Sequence, residues 1–395
     1  MRDRIGAPLV IRPNERNEMT REPAGSTSAT VSPIPSMMNV TSHDVAREAG
    51  VSQSTVSRVL RNQGRVSAET RERVMAAASQ LGYVPSEVGR SLVTRATRTI
   101  AIVITDLENV FYPYLIAPLH NEAWVQNYRM VLLTEGVEPL NADGKSEAAG
   151  PQDEDALNPL LDRLLNRSTD GVVLTTSRLD GTVPRVLARR SLPFVFLTRF
   201  VEGIAADSAV VDNSLGASLA TSEALRLGHV RFGGIFGPPD TSTGRDRERG
   251  TRAALRAAGL ELPDLFARHG SFTYEAGYQA MMDLMAQNPR PTVVICANDT
   301  VAIGAFNATR TLGLSVPGDV SLVGFDDLPL AGWEVFGLTT VHQPMEEMAR
   351  AAVRLLIERI EGRVDSGAVR QMVFEPRLVL RRTLAPPPPD ITAAR

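Results

Sequence analysis

Lysine is nearly absent from this chain: Lys145 stands alone against 41 arginines among 395 residues. Cysteine also occurs once, as Cys296, which excludes an internal disulfide and suits a reducing compartment. The five histidines, His43, His120, His229, His269 and His342, lie too far apart for metal-ligand spacing, so no metal is expected. No glycine-rich phosphate loop follows a strand, and no nucleophile, base and orienting group are grouped. Neither a nucleotide cofactor nor an enzyme is therefore expected. No apolar run reaches the roughly 18 residues that would suggest a membrane span. The opening residues lack the apolar core of a signal peptide, which points to the cytoplasm. The closing "TLAPPPPDITAAR" lacks leucine heptads, so no coiled coil is expected there. A net charge of −3 favours neither an acidic nor a basic partner for the chain as a whole.

What is present begins after residue 38. Residues 1–38, rich in Pro, Ser, Thr and charge, read as a disordered extension. From Thr41 the punctuation becomes regular. Thr41 with Asp44 matches a capping box, Val45, Ala46 and Ala49 give an apolar face, and Gly50 supplies a left-handed stop. Ser52 can cap a second helix, "QSTVSRVLRN", with Val56, Val59 and Leu60 on one side and Gln53, Ser54, Ser57, Arg58 and Arg61 on the other. Ser67 can cap a third, "AETRERVMAAASQLG", with Val74, Ala77, Ala78 and Leu81 inward.

Two short helices joined by a tight turn, then a third, describe a helix-turn-helix. Its second helix lies in the major groove of DNA. Gln53 and Ser54 can bond base edges or phosphates, and Arg58 can fork onto guanine. Nine arginines against five carboxylates between residues 39 and 98 add a local charge suited to phosphates. A three-helix cap with merely solvated faces explains the helices, but not the tight turn, the small polar face and the local charge together. The candidate DNA contacts are Thr41, Ser42, Ser52, Gln53, Ser54, Thr55, Ser57, Arg58, Arg61, Val66 and Ser67.

The stretch "VTSHDVAREAGVSQSTVSRVLRNQGRVSAETRERVMAAASQLGYVP" resembles the N-terminal headpiece of the LacI/GalR family of transcriptional regulators, continuously over residues 40–85. The next residues, "PSEVGRSLVTRATR", can start a helix at Pro85 with Val88 and Leu92 on one face. Alone they are too short to hold it, and Gly89 costs about 1 kcal/mol relative to alanine. A plain linker is the simpler reading. The resemblance implies a hinge that folds only on DNA: Leu92 as the wedge in the minor groove, Val88 as the contact between paired hinges, and Gly89 beside them. Ser86 and Gly89 depart from the asparagine and alanine usual in the family, which weakens hinge ordering.

From Thr99 buried strands alternate with helices: "RTIAIVIT", "YRMVLLT", "GVVLTT", "PFVFLT", "SAVVDN", "VRFGGIFG", "TVVICAND" and "VSLVGFDD" read as strands. This predicts parallel sheets covered on both faces, as two doubly wound α/β lobes with ligand at the strand ends. The stretch "EPLNADGKSEAAGPQDEDALNP" reads as a surface loop. The segments "DLENVFYPYL", "VDNSLGASLATSEALRLGHVRFGGIFGP", "TVVICANDTVAIGAFNATRTLGLSVPGDVSLVGFDD" and "LTTVHQPMEEMARAAVRLLIERIEG" resemble the periplasmic-binding-protein-like effector domain of the same family. With the headpiece, the resemblance spans nearly all of residues 39–381. It implies effector contacts at Arg247, for hydroxyl or carboxylate groups, and at Asp326, an acceptor. Phe272 matches a stacking ring, Phe111 the aromatic after the first strand, and Thr241 one of the polar contacts. Thr198 stands where some members carry aspartate. Asn298 offers a donor and an acceptor. Plainer readings remain: a solvated face for Arg247, a turn or cap for Asp326, ordinary core for Phe272. Asp299 reads as a helix N-cap, Cys296 as a buried apolar residue, and Pro118 as a kink in its helix.

The expected organisation is a disordered extension (1–38), a helix-turn-helix domain (39–84), a hinge (85–97), a two-lobed effector and dimerisation domain (98–381) and a disordered tail (382–395). The N-lobe is expected at 98–205 plus 342–370, and the C-lobe at 206–341 plus 371–381. In short, an all-α helix-turn-helix headpiece precedes a two-lobed α/β effector domain. The expected function is a ligand-responsive transcriptional regulator, read as a repressor, that binds a palindromic operator as a homodimer. A small polar effector, a sugar or sugar derivative, would control it. The two lobes alone would also suit a solute-binding protein of a transporter.

Overall fold

The computed structural model describes residues 40–60, 64, 66–83, 96–105, 107–134, 159–165, 168–365 and 367–389. Arg61, the hinge positions Val88, Gly89 and Leu92, nearly all of the expected surface loop, and the extension 1–38 lie outside the described residues. The chain divides into two compact units between Ser86 and Glu87.

The first unit holds α1 (Ser42–Glu48), α2 (Gln53–Leu60) and α3 (Ala68–Gln80). Its small core is Val45, Val56 and Val74, each fully buried, with Ala46, Ala49, Val59, Ala77 and Ala78 around them. The caps fall where the sequence places them. Thr41 and Asp44 exchange the two bonds of a capping box, Ser52 accepts from the Thr55 amide, and Ser67 accepts from the Thr70 amide. Gly50 and Gly82 follow their helices with φ of +62° each, a conformation that glycine adopts without steric cost.

The second unit contains two six-stranded sheets. In the first, β1 (Thr99–Ile104), β2 (Arg129–Thr134), β3 (Gly171–Leu174), β4 (Phe194–Leu197), β5 (Asp207–Val211) and β11 (Gln371–Phe374) run in the order β11-β5-β4-β3-β1-β2. Every pairing is parallel, with Ile102 opposite both Leu132 and Val173. Central strands such as β1, "TIAIVI", are buried at every position, as a sheet covered on both faces requires. Against it lie α4 (Phe111–Val125) and α11 (Met345–Ile360). Between β2 and β4 the chain also forms α5 (Pro159–Leu165) and α6 (Thr182–Arg189). Helix α4 continues through Pro118 as one element, so the expected kink does not divide it.

The second sheet orders β12 (Arg377–Val379), β10 (Thr339–His342), β9 (Ser321–Asp326), β8 (Val293–Cys296), β6 (Phe232–Phe236) and β7 (Ala267–His269), with only β12 antiparallel. Its helices are α7 (Asn213–Arg226), α8 (Ser242–Ala257), α9 (Tyr274–Met285) and α10 (Asp299–Thr311). Helices α9 and α10 approach backbone to backbone: a Cβ on Gly304 would come within 2.0 Å of the Tyr274 carbonyl. Gly304→Ala should therefore cost about 1–3 kcal/mol by overpacking, read as a lower urea midpoint of the effector domain.

Two boundaries differ from the sequence reading. Strand β5 belongs to the first sheet, not to the lobe beginning at 206, and so does β11, placed in the second lobe by the division at 371. The chain crosses between lobes after Val211, after His342 and between Phe374 and Arg377. The physical reason is visible at Asp207. Its buried carboxylate binds Arg359 at 2.8 Å and Arg370 at 2.7 Å, which ties β5 and the approach to β11 onto α11. The expected disordered tail is also revised, because residues 382–389 are laid along the second sheet. Thr383 is buried, donates to the Leu322 carbonyl at 2.7 Å and accepts from the Thr339 amide at 2.9 Å. His229 bonds the Ala385 carbonyl at 2.8 Å.

Candidate functional site

The exposed face of the first unit is built at the N-terminus of α2. Gln53, Ser54 and Arg58 are exposed, while Thr55 and Ser57 are half-buried. Gln53 Nε2 donates to Ser42 Oγ at 3.3 Å, which holds the two helix starts together. The Ser52 hydroxyl lies 2.8 Å from Ser54 Oγ and 2.9 Å from Thr55 Oγ1, so these three form one hydroxyl cluster at the helix entry. Thr41, Ser52 and Ser67 serve as caps, and the Val66 side chain packs on the small core. Among the described residues, that leaves Gln53, Ser54, Ser57 and Arg58, with Ser42 beside them, as candidate groups on this face not spent on caps or core.

In the second unit one cavity of about 320 Å³ gathers all seven residues singled out from the sequence: Phe111, Thr198, Thr241, Arg247, Phe272, Asn298 and Asp326. They arrive from the ends of strands in both sheets and from the starts of the helices that follow. Arg247, on α8, is buried, which excludes the solvated face. Its Nε donates to Asn213 Oδ1 at 2.8 Å and its Nη1 to the Ala297 carbonyl at 2.6 Å. Nη1 also stands 3.5 Å from Asp326 Oδ1. The guanidinium lies 3.6 Å from the centre of the Phe325 ring, a cation over an aromatic face. Burial lowers this guanidinium to about 10, so it stays charged at neutral pH.

Asp326 ends β9 with φ of +117°, Asp327 follows at +57°, and Thr198 follows β4 at +65°. Positive φ is costly for residues with a Cβ, most of all for a branched one, and such strain collects at functional sites. Burial pushes the Asp326 carboxyl up to about 7 against the opposing pull of Arg247. Beneath it, Asp299 is fully buried, accepting from the Leu328 amide at 2.8 Å and the Thr340 hydroxyl at 2.5 Å. Burial, then the neighbouring Asp326, holds Asp299 well above the usual carboxylate range.

Two sequence expectations change in detail, and a third is kept against its plainer reading. Asn298, not Asp299, caps α10, accepting from the Val301 amide at 2.8 Å, so one of its acceptor sites is already committed. Thr241 caps α8 and donates to the Pro238 carbonyl at 2.8 Å, so its hydroxyl is committed. Phe272 is cavity wall rather than core: its ring lies over Gly237, where a Cβ would meet it at 2.2 Å, and the Arg199 guanidinium sits 5.2 Å from its centre. Cys296 is buried as expected, and burial raises its thiol.

The sequence reading did not single out Gln343, which donates from Nε2 to Asp326 Oδ1 at 2.7 Å and whose buried Oε1 has no partner. Nor did it name Thr105, Thr175, Thr176, Arg178, Arg199 or Asp240, which also line the cavity. Gln343 lies inside the segment "TTVHQPM", and its place on the second lobe crossing is what brings it here. Aromatic walls, many hydroxyls, a buried guanidinium and a carboxylate suit a compact guest carrying several hydroxyl groups.

Residues 41–86 match the model of the bacterial regulatory proteins of the lacI family, and residues 221–384 match a periplasmic binding protein-like domain. The ribose operon repressor of Haemophilus influenzae is 33% identical over 87% of this chain and 98% of its own length. The chain belongs to the LacI family of bacterial regulatory proteins. The regulator CelR of Thermobifida fusca is 34% identical over 86% of this chain and 96% of its own. The repressor PurR of Klebsiella pneumoniae is 31% identical over 87% and 97%. Among solved structures, the lac repressor dimer bound to operator and the anti-inducer ONPF superposes with a TM-score of 0.75 at 26% identity, over 88% of this chain and 99% of that one. A CelR–cellobiose complex does so at 0.63 and 32%, over 87% and 99%. As a LacI-family protein the chain joins a DNA-binding headpiece to a ligand-binding domain. No described helix is long and apolar enough to cross a membrane.

Proposed function

We propose that this LacI-family regulator is a cytoplasmic repressor that binds an inverted-repeat operator as a homodimer and answers to a sugar or sugar derivative held between its lobes. The observation that carries the reading is the buried Arg247–Asp326–Gln343 constellation in a hydroxyl-lined cavity. Relatives named for ribose, and one solved with cellobiose, support a carbohydrate guest. The headpiece favours a regulator over a transporter's solute-binding protein. Relatives named as repressors support a cavity that serves binding.

Gln53 and Ser54 would meet base edges or phosphates, and Arg58 a guanine. Effector binding would shift the balance between open and closed lobes. It would thereby change the spacing of the two hinges, where Leu92 and Val88 are read as the DNA-ordered contacts. A tenfold change in operator affinity needs about 1.4 kcal/mol of differential effector binding.

Selection of duplexes by the purified full-length protein should return an inverted repeat, and a thermal-shift screen of carbohydrates should return stabilising ligands that alter operator affinity. Failure to prefer any duplex at fixed salt would overturn the reading. Arg58→Ala should cost about 1–3 kcal/mol of operator affinity and relax preference at one base pair, read by fluorescence anisotropy across single-base variants.

A further inference from the structure

We propose that Arg178 and Asp240 form a gate across the mouth of the effector cavity, and that this gate sets which effectors enter by their length. The proposal rests on reading the cavity as the effector site. Arg178 follows β3 of the first lobe and Asp240 follows β6 of the second, and their side chains form an ion pair from lobe to lobe. Both line the cavity. Their side chains are 67% and 40% exposed, whereas Arg247 and Asp326 are 7% and 3% exposed, so the first pair marks the mouth and the second the floor.

The ion pair does not stand alone. The Leu179 amide donates to the Asp240 carbonyl at 2.8 Å, directly behind it. The Phe200 amide donates to Ser242 Oγ at 3.1 Å, and Arg245 pairs with Glu202 at 2.9 Å, again joining the two lobes. Each contact must break for the lobes to part at this edge. The gate is thus a row of weak links: an exposed pair is easily screened and adds little, and the backbone bond gives it direction.

A guest that fits the cavity of about 320 Å³ can sit behind the pair. A chain-extended guest must carry its second ring through the space the pair occupies, and so must hold the gate open. Arg178 and Asp240 therefore discriminate by length while the floor recognises hydroxyl groups. Neither residue needs to touch a short effector to do this.

The test begins without any ligand, by hydrogen exchange of the full chain. In Asp240→Ala and in Arg178→Ala, the Leu179 and Phe200 amides should exchange about twofold to fivefold faster than in the wild type, the range an exposed ion pair supports. The charge-exchanged double variant Arg178→Asp/Asp240→Arg should restore slow exchange. Unchanged exchange in both single variants, or no recovery in the double variant, overturns the gate. The second arm titrates D-ribose and cellobiose. In Asp240→Ala the affinity for cellobiose relative to D-ribose should rise about fivefold. An unchanged ratio, or no binding of either sugar to any variant, overturns the role in length selection. Asp326→Asn separates the two readings: it should lose sugar binding while Leu179 exchange stays as in the wild type. Sugar binding indifferent to Asp326 counts against the cavity as the effector site, whatever the gate does.

Discussion

Asp326→Ala should abolish the response to effector while leaving operator binding without effector unchanged. Asp326 is the only carboxylate at the cavity floor within 3.5 Å of Arg247 among the described residues, and Gln343 also donates to it. Removing it leaves a buried guanidinium with neutral partners only, Asn213 and the Ala297 carbonyl. Breaking a buried pair from one side costs about 3–5 kcal/mol. The low end applies here, because a carboxyl raised to about 7 is ionised only in part at neutral pH. Effector affinity should fall by more than about a hundredfold, since both the acceptor and the orientation of Gln343 are lost. Asp326→Asn keeps an acceptor oxygen and the volume, so it should be the more stable variant yet still bind effector poorly. Calorimetric titration with the effector found in the carbohydrate screen, beside operator anisotropy, checks both. An effector response within about threefold of wild type in Asp326→Ala would move the effector site elsewhere.

The sequence carried the local structure further than the assembly. In the headpiece, caps are spelled out by side chains only three residues apart, so Thr41 with Asp44, Ser52 and Ser67 mark the helix starts that the structure shows. Strands β1–β6, β8 and β9 were legible as apolar runs, but an apolar run does not say which sheet it joins. That is why β5 was placed on the wrong side of a lobe crossing, while β11, exposed over most of its length, was not read as a strand and fell to the second lobe through the division at 371. The decisive partners of Asp207 lie about 150 residues away, in α11 and the turn after it. The short strands β7 and β12 carry half-exposed, arginine-bearing sequences with little strand signal.

At the cavity most of the residues were readable because the family resemblance marks their positions, and strand ends, which face the crevice between lobes, agree with it. Their tasks were not. Asn298 and Asp299 are adjacent and chemically alike, and only the backbone decides which one caps; Asn298 at φ −155° and ψ 179° has the extended conformation of an N-cap. Asp299 is thereby turned inward onto Leu328 and Thr340. Gln343 was hidden for another reason. It lies between β10 and α11, at a crossing between lobes, where neither period of burial applies. Arg178 is exposed and Asp240 half-buried, both in loops, and nothing local to either predicts that they meet.

Effector affinity should rise as pH increases from about 5 to about 7 and level off above that. Burial, opposed by Arg247, places the Asp326 carboxyl near 7, so below that value a growing fraction carries a proton. A protonated carboxyl has less capacity to accept a ligand hydroxyl, and affinity should drop by up to about tenfold per pH unit below the shifted value. Folding has the opposite slope. A carboxyl raised in the folded state keeps its proton where the unfolded chain, with Asp near about 3.9, has lost it. Between about 4 and 7 the folded state therefore binds more protons, and the free energy of unfolding contributed by Asp326 declines as pH rises. That contribution is complete below about 4 and lost once pH passes through 7. Asp299, raised by burial and then by Asp326, adds in the same direction. Asp207 adds the reverse: burial would raise it, but Arg359 and Arg370 hold it below the usual range, so its stabilisation is lost only in stronger acid. The difference between wild type and Asp326→Asn cancels the Asp207 part and reports Asp326 together with its coupling to Asp299. Wild-type affinity flat from about pH 5 to 8 would show that this carboxyl is not the group that accepts from the effector.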